Sequence, residues 1–288
     1  MSELVHSAES TPLVRHQPEE QAAMERELQW LLHQNIPQSI TDVHTELASV
    51  SFLSSKSGST RQTPTQIDLV SAGRHPESKA MGTATIVGTL VTQLSLEITI
   101  SSQLNQGKPT TIYLKKNESL ALRQAQDAQS YVRSAQRKAR DIPRFCSSSE
   151  ALCHVESVLN DIMGAKRMLA ADDQHDLMPL QSENTEKFAP ALPENLVIEC
   201  NLKGDTFFAH VYWLKFRHSF KSTGILDAFK RDQSTGHMLV FNGRPAEVRR
   251  ELLFQARVHD VQRDIEVLDR AAGLCIDVVG QLHAFDSM

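Results

Sequence analysis

The chain has 288 residues, 40% of them hydrophobic and 23% charged, with a formal net charge of -5. That length can bury a sizeable core, and the acidic balance leaves no basic excess for nucleic acid as a main partner. There is no run of about twenty apolar residues to span a bilayer, and the N-terminus, with Glu3, Glu9, Glu19 and Glu20, lacks a signal-peptide core, so a soluble cytosolic protein is expected.

Residues 1–21, with Ser2, Ser7, Ser10, Pro12 and Pro18, lack periodicity and read as a flexible tail. After them Met24, Leu28, Leu32, Ile36, Ile40, Val43, Leu47 and Val50 recur three or four residues apart. This predicts an amphipathic helix with a narrow seam, in which Trp30 beside Leu31 and Leu32 reads as core. Pro37 removes a ladder bond and predicts a kink or break near Asn35. The period then becomes two. Leu94, Leu96, Ile98 and Ile100 alternate with Ser95, Glu97 and Thr99, and the turn residues of "QGKP" at 106–109 lead into "TTIYLK". With Ile67–Val70 and Thr83–Thr92 as further strands, an antiparallel meander follows.

Helix returns at Ser119, where Leu122, Ala125, Val132, Ala135 and Ala139 form an apolar line with Gln129 filling one position. Pro143 lies past its end. "SSSE" at 147–150 is a capping box that opens a second helix with Leu152, Val155, Leu159, Ile162, Lys166 and Leu169 in line. A polar loop leads to "KFAPALPENLVIECNL", whose Pro190 and Pro193 bias Ala189 and Leu192 toward extended backbone. Phe188 and Leu192 are spaced to wedge between two domains, so Phe188, Pro190, Leu192 and Pro193 read as an interdomain joint. Lys203-Gly204-Asp205 joins the next two strands as a hairpin, and His237–Phe241 is a short strand closed by Asn242-Gly243.

Phe254, Val258, Val261, Ile265, Leu268, Ala272, Cys275, Val279 and Leu282 are spaced alternately four and three apart. Four such heptads make a helical rod of roughly 40 Å, which needs partner helices of similar reach. The expected fold class is therefore α+β, an elongated two-domain protein. An antiparallel helical bundle, discontinuous and containing both termini, takes 22–55, 118–172 and 250–286. A mainly antiparallel β domain takes 62–117 and 186–245.

Chemistry is sparse. No nucleotide, hydrolase or zinc motif occurs, and Gly82 and Gly88 lack the lysine a phosphate loop needs. Cys153 and His154 are adjacent on a helix and diverge by about 100°, poor geometry for one ion with Cys146. The cysteines, with Cys200 and Cys275, suit a reducing compartment and buried thiols. Asp172, Asp173, His175 and Asp176 could hold a cation, but read better as a solvated loop. Five further histidines, His33, His44, His210, His259 and His283, are dispersed. Arg133, Arg137, Lys138, Arg140 and Arg144 could dock an acidic partner, or form a solvated helix face helped by the helix dipole. No catalytic, cofactor or metal site is expected.

The block Phe188-Ala189-Pro190-Ala191-Leu192-Pro193, running into a strand pair, resembles the Rogdi family residue for residue. Glu27, Trp30, Leu31, Leu32 and His33 fit that family's E-x-x-W-L-L-H opening helix, and Gln126-Asp127-Ala128 is a weaker match. The order of elements agrees over roughly 22–285, while Pro37 and the segment 217–236 depart from the pattern. The resemblance implies a helical bundle carrying a β domain, with no enzymatic activity, no catalytic residues and no cofactor. It implies an adaptor subunit, of the fungal type, in a RAVE-like complex. Its partners would be a large WD-repeat scaffold of the rabconnectin type and V-ATPase peripheral-sector subunits, and its role V-ATPase reassembly and organelle acidification. Such a protein is cytoplasmic and reaches vacuolar or endosomal membranes only through partners. Phe216, Phe220 and Phe229, aromatics in a weakly periodic stretch, are the candidate partner anchors. Two rivals are a self-associating coiled coil built on the 254–282 seam and an enzyme whose site assembles from distant residues.

Overall fold

The first helical rod starts on Pro18, whose missing N–H costs nothing in a first turn. It comprises α1 (Pro18–Trp30), a π-helical turn (Leu31–Asn35) and α2 (Ile36–Ala48). The computed structural model describes residues 18–53, 64–71, 81–99, 109–170, 186–216, 238–241 and 243–286. Pro37 does not break the rod. One extra residue enters the ladder just before it, and the Ile36 N–H donates to the Leu31 carbonyl five residues back. Leu32, Ile36, Ile40, Val43, Leu47 and Val50 are buried as the spacing predicts, with Leu31 beside them, but Met24 at the start of that line is 38% exposed, and Trp30, 51% exposed, is not core.

α3 (Arg123–Arg140) begins four residues later than the sequence suggests, because Leu120–Ala121 are used as a short strand. α4 (Ser148–Ala170) opens on the expected capping residues. The Ser147 hydroxyl accepts from the Glu150 N–H at 3.2 Å, and the Glu150 carboxylate accepts from the Cys146 N–H at 2.9 Å, one residue before the cap. The last helix, α5 (His259–Asp286), is shorter than its heptads suggest. Phe254 lies in a strand, Arg244–Arg257, and Val258 in the junction after it, both fully buried. The cause is a shared position: Phe254 fits the start of the heptads and also a period of two with Leu252 and Ala256, and a neighbouring strand pairs with all three. Within α5, Val261, Leu268, Ala272, Cys275 and Leu282 are buried while Ile265 and Val279 are only partly so. Asp264, Val267, Ala271 and Val278 are buried as well. The covered face is wider than a coiled-coil seam because α5 packs on two helices, α2 and α4.

α2, α3, α4 and α5 form a closed ring of neighbours, since α3 also packs on both α2 and α4. Polar ties show their directions. Glu46 pairs with Arg270 at 3.1 Å, while Asp264 meets the chain at Ser51, so α2 and α5 run antiparallel. Lys138 pairs with Asp161 at 2.7 Å, while Tyr131 lies against Gly164, so α3 and α4 do too. Lys166 pairs with Asp269.

The strands form one antiparallel sheet. They are β1 (Thr65–Ser71), β2 (Met81–Val87), β3 (Leu90–Thr99), β4 (Pro109–Leu114), β5 (Leu120–Ala121), β6 (Phe188–Ala189), β7 (Leu196–Lys203), β8 (Thr206–Phe216), β9 (Met238–Phe241) and β10 (Arg244–Arg257). Its path runs β6-β4-β3-β2-β1-β10-β8-β7, with β5 beside β3 and β9 beside β10. The expected meander is β1 to β4, but Thr83–Thr92 is two strands turning at Gly88-Thr89, where Gly88 takes φ +57°. The path itself shows that the sheet curls. Seven strand spacings of about 4.8 Å would part its ends by about 34 Å if flat. Only residues 190–195 join β6 to β7, a reach of about 25 Å at most, so the two ends are drawn together.

Ile67, Leu69, Ala84, Ile86, Leu94, Leu96, Ile98 and Ile112 are buried and merge with the buried helix residues into one apolar cluster. On β10 the register shifts between Val248 and Arg250. Before this bulge Ala246 and Val248 belong to a second, smaller cluster with Val197, Tyr212, Leu214 and Phe241. After it Leu252 and Phe254 face the main core, as a one-residue slip requires.

Candidate interaction surfaces

Among the described residues no group of three or more His, Cys, Asp or Glu could hold a metal ion, and no helix is long and apolar enough to cross a membrane. Asp172, Asp173, His175 and Asp176 lie outside the described residues, as do Phe220 and Phe229. The polar chemistry that the fold does assemble is concentrated where the helix ends meet the sheet.

The β7–β8 turn is one tie. Its Gly204 takes φ +59°, open to glycine without strain. That lets the Gly204 N–H cap the Leu169 carbonyl of α4 at 2.7 Å, while the Asp205 carbonyl accepts the Val258 N–H at 2.7 Å. The Gln124 side chain at the start of α3 accepts from the Leu202 N–H at 3.1 Å. Three helices are thereby fixed to one hairpin.

Asp264 makes the other tie. It has no exposed surface, and its carboxylate accepts the N–H groups of Ser51 and Leu53, each at 2.9 Å, and the Ser51 hydroxyl at 3.3 Å. Burial holds its carboxyl above the ordinary aspartate range, opposed by those hydrogen bonds. One turn earlier Asp260 accepts from the Thr65 hydroxyl at 2.7 Å. The first turns of α5 thus hold the chain both where it leaves α2 and where it enters β1. Sequence reasoning passed over Asp264, although it stands three residues after Val261 and four before Leu268, an acid on the seam itself.

The proline-containing block is split by exposure. Phe188 is fully buried and Leu192 is 9% exposed, whereas Pro190 and Pro193 face solvent. Phe188 pairs with Leu114 and Ala189 with Tyr113, the Ala189–Pro190 bond is cis, and the Pro193 carbonyl accepts the Leu196 N–H at 2.9 Å. The block is a strand and turn that connects the two ends of the curled sheet.

Phe216 is not a free anchor. Its ring lies 6.0 Å from that of Phe241 in the smaller apolar cluster. Of the basic group, Arg133, Arg137, Arg140 and Arg144 are exposed, Lys138 is tied to Asp161 and to the Ser157 carbonyl, and Arg140 pairs with Asp141 at 3.0 Å. Their hydrogen bond raises the Arg140 guanidinium and lowers the Asp141 carboxyl. Cys146 and Cys153 are exposed, contrary to the buried thiols expected. Burial, and secondarily Glu199, pushes the Cys200 thiol up, and burial pushes Cys275 up to about 12. His154 packs 5.6 Å from Phe145, and burial lowers its basicity. His210 meets Glu251 at 2.9 Å and stacks on Tyr212 at 5.6 Å.

A comparison with curated proteins gives no match. The family model described as Rogdi leucine zipper containing protein matches residues 27–235, well over half of the chain, from just before the exposed Trp30 to a point past β8, short of β9, β10 and α5. The chain belongs to the Rogdi family.

Proposed function

We propose that this protein is a non-enzymatic adaptor subunit of a RAVE-like complex, of the fungal type, that promotes assembly of the V-ATPase peripheral sector onto its membrane sector. The observation that carries the reading is the family match over 27–235. The partners are a large rabconnectin-type WD-repeat scaffold and V-ATPase peripheral-sector subunits. The protein is cytoplasmic and meets vacuolar or endosomal membranes through them. It acts as an elongated two-domain body, a helical bundle carrying a β domain, with Phe188 and Leu192 wedged where the two meet. The ties at Gly204 and Asp264 support such rigidity, because each holds helix ends through buried hydrogen bonds. The rival reading, self-association through the C-terminal seam, has no observation in its favour: α2 and α4 cover that face within the chain.

Cells lacking the protein test the proposal. Luminal pH read with a ratiometric dye should rise, and the membrane-bound fraction of the peripheral sector should fall, with both restored by the intact gene. Normal luminal pH and normal membrane binding in the null cells would reject it.

A further inference from the structure

α3 presents one flank that its own bundle does not use. Its core line, Ala125, Ala128, Val132, Ala135 and Ala139, is buried. On the side toward α4, Tyr131 lies against Gly164, and Lys138 reaches Asp161 and the Ser157 carbonyl. On the side toward α2, the Gln136 amide donates to the Leu47 carbonyl at 2.7 Å. Past Gln136 on that side stand Arg133, Arg137 and Arg140, all exposed, spaced four and three residues apart within about 60° of the helix circumference. Arg144, also exposed, follows just beyond the end of the helix.

Two ordinary explanations cover only part of this stripe. The helix dipole favours cations in the last turn, which holds Arg137 and Arg140 but neither Arg133 nor Arg144. Ion pairing within the chain accounts for Arg140, which meets Asp141 at 3.0 Å, and Asp141 also lies within reach of the Arg137 charge. Arg133 and Arg144 make no ion pair or hydrogen bond among the described residues. The neighbouring helix adds no acid. Thr41, His44 and Ala48 stand on the flank of α2 toward α3, whereas Asp42 and Glu46 stand on its flank toward α5, where Glu46 pairs with Arg270.

The charge and spacing select the occupant. The chain carries a net -5, so this stripe reverses the sign of the molecule locally. Each cation on it is arginine, whose planar guanidinium meets a carboxylate through two parallel N–H groups. Arg133 and Arg140 are about 10 Å apart along the axis, a distance that carboxylates three or four residues apart on a second helix repeat. Gln126 and Ser130 continue the same line toward the start of α3 and offer nothing apolar to insert into a bilayer. We propose that Arg133, Arg137 and Arg140 dock an acidic helical segment of a partner protein, with its Asp or Glu side chains paired to the guanidiniums and Arg144 extending the contact. Such a surface steers encounter and fixes register. The inference deepens the adaptor reading and rests on it for the existence of a partner, not for that partner's identity.

The test uses the full chain in cells with a benzoylphenylalanine photo-cross-linker at the exposed Ser130. The cross-linked peptide should come from a different protein and carry Asp or Glu at helical spacing. Arg133→Glu with Arg137→Glu, in a protein with unchanged thermal unfolding, should reduce the cross-link by about ten-fold. Arg133→Glu alone leaves the last turn of α3 intact and should act in the same direction. Arg133→Lys with Arg137→Lys keeps the charge and should retain part of the cross-link. A cross-link to a peptide without acidic residues, to lipid, within the chain, to a second copy or to nothing overturns the inference, as does indifference to charge reversal. The two readings fail separately. A WD-repeat scaffold recovered equally by the charge-reversed protein, with no cross-link from Ser130, removes the stripe and leaves the adaptor. A stripe cross-linked to an acidic segment of a protein outside the V-ATPase machinery keeps the stripe and removes the adaptor role.

Discussion

Asp264 shows how much one side chain can organise when its acceptors are fully used. Both carboxylate oxygens receive main-chain N–H groups from the stretch after α2, inside a site with no water-exposed surface. In Asp264→Asn one oxygen becomes an NH2 group that faces an N–H, leaving two donors opposed. The variant should lose about 1–3 kcal/mol at neutral pH, measured by denaturant unfolding. The pH dependence has a definite sign. Because the folded-state value is raised, the folded form holds its proton more readily than the unfolded chain. The stability this group supplies is complete below the ordinary aspartate range and is lost as pH rises through its folded-state value. The wild-type advantage over Asp264→Asn should therefore shrink with increasing pH and level off above that value, and a growing advantage would contradict the burial argument. The cysteines give a second check at this scale. A thiol reagent at neutral pH should modify Cys146 and Cys153 in the native protein, and Cys200 and Cys275 only after unfolding. Peptide mapping after brief labelling would read this directly.

Among the elements, what was legible followed periodicity, and what was not followed competition between periods. Val43, Leu47, Val132, Val155 and Leu268 stand on helical faces that spacing alone exposes, and all are buried. Phe254 also fits a heptad, yet it pairs with Ala209 across the sheet, since a neighbouring strand is information the local pattern does not contain. Trp30 was placed in the core by the company of Leu31 and Leu32, but neighbours in sequence point to different sides of a helix. The junction was half legible. The hairpin at Gly204 could be read from its turn residues, but not that its amide caps α4, which depends on a fold assembled from distant segments. Gly204→Ala tests that element. A Cβ there meets nothing within 4 Å, so the cost is the left-handed backbone alone, about 1–2 kcal/mol in thermal or chemical unfolding. A neutral outcome would mean that the turn relaxes and that the cap on Leu169 is dispensable.

At the scale of the whole molecule, two devices make a single body from a chain that alternates between helix and strand. The sheet curls until six residues, 190–195, can join its ends, and four helices close into a ring whose ends are pinned to that sheet by Gly204, Asp205, Gln124 and Asp260, while Asp264 ties α5 to the stretch that leaves α2. Large apolar side chains are exposed at several separate places among the described residues, Val70 beside Met81 on the sheet, Trp30 on α1 and Ile276 on α5. A rigid body with discrete exposed anchors is the physical form an adaptor requires, because binding then costs little ordering of its own chain. Affinity purification of the tagged full-length protein from its native cells, followed by mass spectrometry, tests most directly what the protein holds together. A RAVE-like adaptor should bring down a large WD-repeat scaffold together with V-ATPase peripheral-sector subunits. A purification that returns the protein without either would contradict that role.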